Sequence, residues 1–304
     1  MRTIRTVAEL RAALAGPRRA GREIGLVPTM GAFHEGHLSL MRRARQDCDE
    51  VVVSLFVNPT QFNDGADLAG YPRDEQRDQR MAAEVGVDYL FAPPLEEVYP
   101  AGFATTVSIS AITETLEGAY RGRAHFDGVT TVVTKLFNMV GADVAYFGQK
   151  DAQQVAVIRA LVRDLDIPIR IEVCPTVRDV DGVALSSRNV HLTAAQRGRA
   201  TALSRALRAA QAAVAAGERD AAVVREIAHA ELRSAELQPE YLELVCADTF
   251  APCERIDRRA LLVVAARVGE VRLIDNQPLS LLETPASGGS RSSTPLQVQA
   301  MGRN

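Results

Sequence analysis

The chain has 304 residues and a formal net charge of −3, a balance that excludes a protein coating nucleic acid with a strongly basic face. Its 47% hydrophobic and 24% charged residues are ordinary for a globular protein, and the length predicts about two domains. No run approaches the roughly 18 apolar residues of a membrane helix, Met1–Gly16 has no apolar stretch of the signal-peptide kind, and Cys48, Cys174, Cys246 and Cys253 lack CxxC spacing, so a soluble cytoplasmic protein with reduced thiols is expected, without membrane or nucleic-acid partners.

Short β-branched runs at Ile24–Thr29, Val51–Val57, Asp88–Ala92, Asp143–Phe147 and Ile169–Val173 read as buried strands. Helical patterns lie between them near Gly36–Arg45, Asp74–Val85, Val129–Val140 and Ala152–Arg163. This alternation predicts an α/β domain over residues 1–176, a Rossmann-like parallel sheet with helices on both faces. In such sheets ligands sit beyond the carboxyl ends of the strands, so chemistry should cluster just after them. After about Thr176 the texture changes. Thr193–Ala216 and Asp220–Leu237 are helical, and Tyr241–Val245, Leu261–Val268 and Val271–Ile274 read as strands. A smaller α+β domain is expected over 177–283. Residues 284–304 are rich in Ser, Gly, Pro and Gln and read as a disordered tail.

Four polar segments follow strands. The first is Pro28-Thr-Met-Gly-Ala-Phe-His34-Glu-Gly-His37. His34 and His37 share a helix face, and a helix starting here turns free N–H groups and its positive dipole end toward an anion. Two imidazoles there can donate to phosphate oxygens; in isolation, the same spacing is more often two ordinary histidines. A metal reading lacks a third ligand. The second segment, Asn58-Pro-Thr-Gln61, offers an amide suited to hydroxyl and carboxylate groups, or is simply a surface loop. The third, Gly148-Gln149-Lys150-Asp151, can set an ammonium on phosphate, with Asp151 serving a ribose, a metal or the helix N-cap, and Gln154 one turn further on. The fourth runs from Thr176-Val177-Arg178 to Leu185-Ser186-Ser187-Arg188, two hydroxyls and a guanidinium that can grasp phosphate, or a polar linker capping the next helix. Neither GxxxxGK[ST] nor GxGxxG occurs. The set points to a nucleoside triphosphate held by a histidine-rich turn, with catalysis by positioning and charge stabilisation.

Taken together and in this order, the segments resemble the pantothenate synthetase (pantoate–β-alanine ligase) family, from about Leu26 to Leu192 and more loosely to Asn276. His34-Glu-Gly-His37 is similar to the HIGH signature of nucleotidylyltransferases and class I aminoacyl-tRNA synthetases, and Leu185-Ser-Ser-Arg188 to the KMSKS loop. The resemblance implies a ligase of pantothenate (coenzyme A precursor) biosynthesis. ATP and (R)-pantoate would give pantoyl adenylate and pyrophosphate; β-alanine would then give pantothenate and AMP. It further implies ATP contacts from Met30, Gly31, Ala32, Phe33, His34, Glu35, Gly36, His37, Gly148, Gln149, Lys150, Asp151, Val177, Leu185, Ser186, Ser187 and Arg188. His37, His34, Lys150 and Arg188 would be catalytic, His37 as proton donor or electrostatic stabiliser. Gln61 and Gln154 would bind pantoate, Gln61 also lying near β-alanine. Mg²⁺ would accompany ATP through phosphate oxygens and water, without a dedicated protein metal site, and the assembly would be a homodimer.

Several positions depart from the family pattern. Gln149 stands where Glu is usual, Ala152 where a larger residue is common, and Val190-His191 replaces an ending in Tyr. The stretch Leu116–His125 is about one residue longer than the family pattern, which leaves Arg121 or Arg123 for its basic role. His125, His191 and His229 carry no assigned chemistry and are expected to be structural or at the surface. Two rivals remain: a nucleotidylyltransferase acting on a phosphate acceptor, disfavoured by the amides Gln61 and Gln154, and a non-catalytic nucleotide- or RNA-binding relative, disfavoured by the charge.

Overall fold

The computed structural model describes residues 1–63 and 65–279; the tail expected from 284 lies outside them. β1 (Arg2–Ile4) and α1 (Val7–Arg19) open the chain, and α1 starts at a capping box in which Thr6 and Glu9 satisfy each other's backbone N–H groups. The α/β alternation follows: β2 (Ile24–Thr29), α2 (Glu35–Asp47), β3 (Glu50–Leu55), α3 (Gly65–Gly70), α4 (Glu75–Glu84), β4 (Tyr89–Phe91), α5 (Leu95–Val98), α6 (Glu117–Arg121), α7 (Arg123–Val140), β5 (Val144–Gly148), α8 (Ala152–Asp164) and β6 (Arg170–Cys174).

The six strands form one parallel sheet in the order β1-β4-β3-β2-β5-β6. Leu26 of β2 is paired with Val52 of β3 on one side and Ala145 of β5 on the other. The chain therefore reverses its direction of sheet growth at β2, and the gap between β2 and β5 is the switch point where such sheets bind ligands. The central strands β2, β3 and β5 are buried on both faces, as their continuous apolar runs require. One face packs Leu26, Val52, Ala145 and Phe147 against Leu10, Val133, Phe137 and Ile158. The other packs Val27, Val51, Val53 and Tyr146 against Met41, Ala44 and Ala82.

The second unit comprises α9 (Ala194–Ala215), α10 (Ala221–Ser234) and the antiparallel sheet β7 (Pro239–Cys246), β8 (Ala260–Val268) and β9 (Val271–Leu279). Thr193 and Gln196 form the capping box of α9, and Asp220 caps α10. Leu203, Leu207, Val224 and Leu232 pack on Leu262 and Val264. The other face of that sheet, with Val245, Phe250, Leu261 and Val263, closes on Ala152 and Ala156 of α8. A buried ion pair also joins the units: Arg272 on β9 donates to both carboxylate oxygens of Glu117 on α6, at 2.6 and 2.9 Å.

Candidate active site

Between β2 and α2 the backbone turns through two consecutive left-handed residues, Gly31 (φ 87°) and Ala32 (φ 54°). Asp78 on α4 holds this shape: its carboxylate oxygens accept the N–H groups of Ala32 and Phe33, each at 2.8 Å. Asp78 is almost fully buried, and burial pushes its carboxyl up despite those two bonds. Nothing local in the sequence marks this residue, because its partners lie more than forty positions away.

His34 is the N-cap of α2, and its Nδ1 accepts the N–H of Gly36 at 3.1 Å. His37, three positions into the helix, accepts the N–H of His34 on its own Nδ1 at 3.3 Å. Both Nδ1 atoms are acceptors, so each neutral ring carries its hydrogen on Nε2. The pair is a capping box built from two imidazoles, with ring centroids 4.2 Å apart. Gly36 is required by close approach: a Cβ there would sit 2.8 Å from the His34 ring. Burial pushes His37 down to about 3, with the His34 and Lys150 charges adding to the effect. Burial and then Lys150 push His34 down to about 4. At neutral pH the turn presents two uncharged Nε2–H donors.

After β3, Asn58 caps a one-turn helix, Pro59–Gln61. The Asn58 side chain donates to the Gln61 Oε1 at 3.0 Å and to the Gly128 carbonyl at 3.1 Å, while its oxygen accepts from Tyr99 at 2.9 Å. α7 lies so close that a Cβ on Gly128 would be 2.5 Å from the Thr60 carbonyl oxygen. The Gln61 amide nitrogen approaches the Met30 sulfur at 3.1 Å, linking the second turn to the first. His125 Nδ1–H donates to the Gln61 carbonyl at 2.7 Å. Burial, then the Arg121 charge, pushes His125 down to about 4, so its ring is neutral. His125 is thus structural, as expected, and it stands in the site wall.

After β5, Gln149–Asp151 form a one-turn helix leading into α8. Asp151 occupies the N-cap position, yet its side chain makes no capping bond; its carboxylate lies 3.5 Å from the Lys150 ammonium. Gln153 is buried, accepting the N–H of Glu117 at 2.9 Å and donating to the carbonyls of Ile112 and Thr115, whereas Gln154 faces the site. After β6 the connection folds back through a bridge between Arg178 and Ala184, and Leu185 N–H donates to the Val177 carbonyl. Ser186 then caps a short helix, Ser187–His191, on which Arg188 reaches Asp67 at 3.3 Å. That ion pair is solvent-exposed and correspondingly weak.

All four turns open onto one cavity of about 1250 Å³ between the two units. Its wall includes Met30, His34, Gly36, His37, Gln61, Gly148, Lys150, Asp151, Gln154, Val177 and Leu185 to Arg188, all expected from sequence. Five expected contacts do not line it. Gly31 and Ala32 form the back of the turn on Asp78. Phe33 is a core side chain, Glu35 is paired with Arg42 on the surface, and the Gln149 side chain is turned to Asn276. Arg121 lines the cavity and pairs with Glu117, while the Arg123 side chain is exposed and bonds Ser108. Among the described residues no cluster of three or more His, Cys, Asp or Glu is arranged to hold a metal ion.

A parallel sheet with a switch point at β2, a histidine-bearing turn opening α2 there, and lysine and arginine turns around the same cavity define an α/β enzyme whose ligand site lies beyond the carboxyl ends of its strands. The comparisons narrow this. The family model described as pantoate-beta-alanine ligase matches residues 2–278. A pantothenate synthetase of Cereibacter sphaeroides is 55% identical over 276 residues, 91% of this chain and 99% of that protein. The crystal structure of pantothenate synthetase from Thermus thermophilus superposes with a TM-score of 0.86 at 48% identity, covering 91% of this chain and 99% of that one. A pantoate-beta-alanine ligase from Francisella tularensis, complexed with beta-gamma ATP and beta-alanine, gives 0.75 at 34% identity, covering 91% and 97%. The chain belongs to the pantoate–β-alanine ligase family.

Proposed function

We propose that this chain condenses (R)-pantoate with β-alanine at the expense of ATP, through an enzyme-bound pantoyl adenylate, releasing pyrophosphate and AMP. One observation carries the reading: His34, His37, Lys150 and Arg188 come from three separate turns and face one cavity that also holds the amides of Gln61 and Gln154. A carboxylate and a triphosphate repel one another. Joining them needs positive and hydrogen-bond-donating groups on the phosphates and neutral amides on the acid, and the wall offers both.

In the first step a pantoate carboxylate oxygen attacks the α-phosphorus, and the bond from that phosphorus to the α,β-bridging oxygen breaks to free pyrophosphate. Negative charge builds on phosphate oxygens. The His37 and His34 Nε2–H groups donate to them, and Lys150 and Arg188 supply the charge. His37 acts as a donor of a hydrogen bond, since its ring is neutral and already bonded through Nδ1. Gln61 and Gln154 hold the pantoate hydroxyl and carboxylate. In the second step the uncharged amine of β-alanine attacks the acyl carbon, AMP leaves, and a proton departs from the nitrogen. No protein nucleophile is needed. Met30, Gly148, Asp151, Val177, Leu185, Ser186 and Ser187 complete the nucleotide wall.

Mg²⁺ fits this wall as a companion of the phosphates. Asp151 is a carboxylate at the Lys150 turn, and a single carboxylate with water and phosphate oxygens is the usual set for that ion. Bound there, it would neutralise phosphate charge. We place the domain boundary at residues 176/177, assign the working form as a homodimer on the family likeness, and read the free cysteines as fitting a reducing cytoplasm; sedimentation velocity tests the dimer. No helix among the described residues is long and apolar enough to cross a membrane.

The test is AMP release with each substrate omitted in turn. Release should require ATP, pantoate and β-alanine together. Turnover that needs a phosphorylated acceptor in place of pantoate supports the nucleotidylyltransferase reading, and ATP binding without turnover supports a mere binder.

A further inference from the structure

We infer that Asn276, on β9 of the C-terminal unit, is a positioning residue that sets where Lys150 stands; this rests on the role proposed above for Lys150. Lys150 sits on a single helical turn between β5 and α8, too short to fix its own orientation. The Asn276 side-chain nitrogen donates to the carbonyls of both Gln149 and Lys150, each at 2.9 Å. Its side-chain oxygen accepts from the Gln149 amide, also at 2.9 Å. One amide thus makes three bonds to two adjacent residues across the boundary between the units, and it is nearly fully buried, at 3% exposure.

Asn276 is itself held. Its N–H donates to Asp275 at 2.8 Å, and Asp275 takes a forked ion pair from Arg178 at 2.6 and 3.0 Å. Arg178 belongs to the connection that folds back, through its bridge with Ala184, toward Ser186 and Arg188. Two adjacent residues of β9, Asp275 and Asn276, therefore anchor both cation-bearing turns, Lys150 through Asn276 and Arg188 through Arg178. The C-terminal unit fixes the lysine of the N-terminal unit as well as supplying its own arginine.

The pattern calls for two donors and one acceptor on a short stem, which only the Asn side chain provides in this space. An Asp at 276 has nearly the same volume but would press a carboxylate against two carbonyl oxygens. Displacing a catalytic group by about 1 Å can cost on the order of a hundredfold in rate.

The experiment compares pantoate-dependent exchange of pyrophosphate into ATP with thermal unfolding for Asn276→Asp, Asn276→Ala, Gln149→Ala, Lys150→Ala and Leu279→Ala. Leu279 is a buried core residue of the same strand outside the cavity wall, so its variant reports lost stability alone. We expect both Asn276 variants to lose roughly tenfold to a hundredfold in the exchange kcat, assayed well below their melting points. Gln149→Ala should lose less in the same direction, and Leu279→Ala should melt early yet exchange normally. If the Asn276 variants do not fold, Gln149→Ala decides. Wild-type exchange in folded Asn276 variants, or an equal loss in Leu279→Ala, overturns the inference. Wild-type exchange in Lys150→Ala would instead overturn the role given to the lysine.

Discussion

Replacing His37 separates its two jobs, because His37 is both a donor toward the cavity and the N3 partner of a helix cap. His37→Ala removes the Nε2–H and also leaves the His34 N–H without its acceptor. His37→Gln removes the ring donor but keeps an N3 side chain that can reach back to the N-cap N–H, the usual capping-box residue. Losing one transition-state donor typically costs about 2.7–4 kcal/mol, or roughly a hundredfold to a thousandfold in rate. Losing a cap costs about 0.5–2 kcal/mol of stability, about 2–4 °C of melting temperature per kcal/mol for a chain of this general size. The assay is pantoate-dependent pyrophosphate exchange for the chemistry and thermal unfolding for the cap. Both variants should lose exchange to a similar degree, and only His37→Ala should melt measurably early. Wild-type exchange in a folded His37→Gln protein would refute the donor role; equal melting of the two variants would refute the cap.

Three further outcomes follow from the same geometry. His34, His37 and His125 are held at about 4, 3 and 4, below the ordinary histidine value. The unfolded chain therefore binds more protons than the folded one between about pH 4 and 6.5, and stability should fall as pH drops through that window and level off above it; urea melts across pH 4.5–8 check this, and stability rising toward acid would contradict it. Asp78→Ala removes the acceptor of two buried N–H groups and should cost on the order of 2–4 kcal/mol with a raised KM for ATP, measured by urea denaturation and steady-state kinetics. Arg272→Met leaves Glu117, held down to about 2 against its burial chiefly by that arginine, buried with only Arg121 and Tyr241 as partners; the loss should be about 3 kcal/mol, shrinking as pH falls from about 4.5 toward 2, where the carboxyl takes up its proton.

Much of the architecture was legible because burial writes periodicity into sequence. β2 spans Ile24–Thr29, as its apolar run indicates, and α9 and α10 start where Thr193 and Asp220 announce caps. α7 begins at Arg123, six residues before the expected Val129, because Gly128 interrupts the helical pattern although its missing side chain is what lets α7 meet the Gln61 turn. β9 runs to Leu279, beyond the expected Ile274, since Asp275 and Asn276 look like turn residues but are buried partners of other segments. β1 and α1 carried too little pattern to read: the strand is three residues at a sheet edge, and α1 contains Pro17. The site residues facing the cavity were visible as motifs. The residues behind them, Asp78, His125 and Asn276, were not, because each binds backbone groups far away in sequence, and a bond to a main-chain amide leaves no signature in the residue that provides it.

The central claim is that His37, Lys150 and Arg188 grip one triphosphate beside a carboxylic acid. A crystal structure with a non-hydrolysable ATP analogue and pantoate measures this directly. The account predicts phosphate oxygens within about 3.2 Å of the His37 Nε2, with the Lys150 ammonium and Arg188 guanidinium on the same triphosphate and the pantoate carboxylate facing the α-phosphorus. A nucleotide bound away from these three side chains, or touching one of them while the others face solvent, would contradict it.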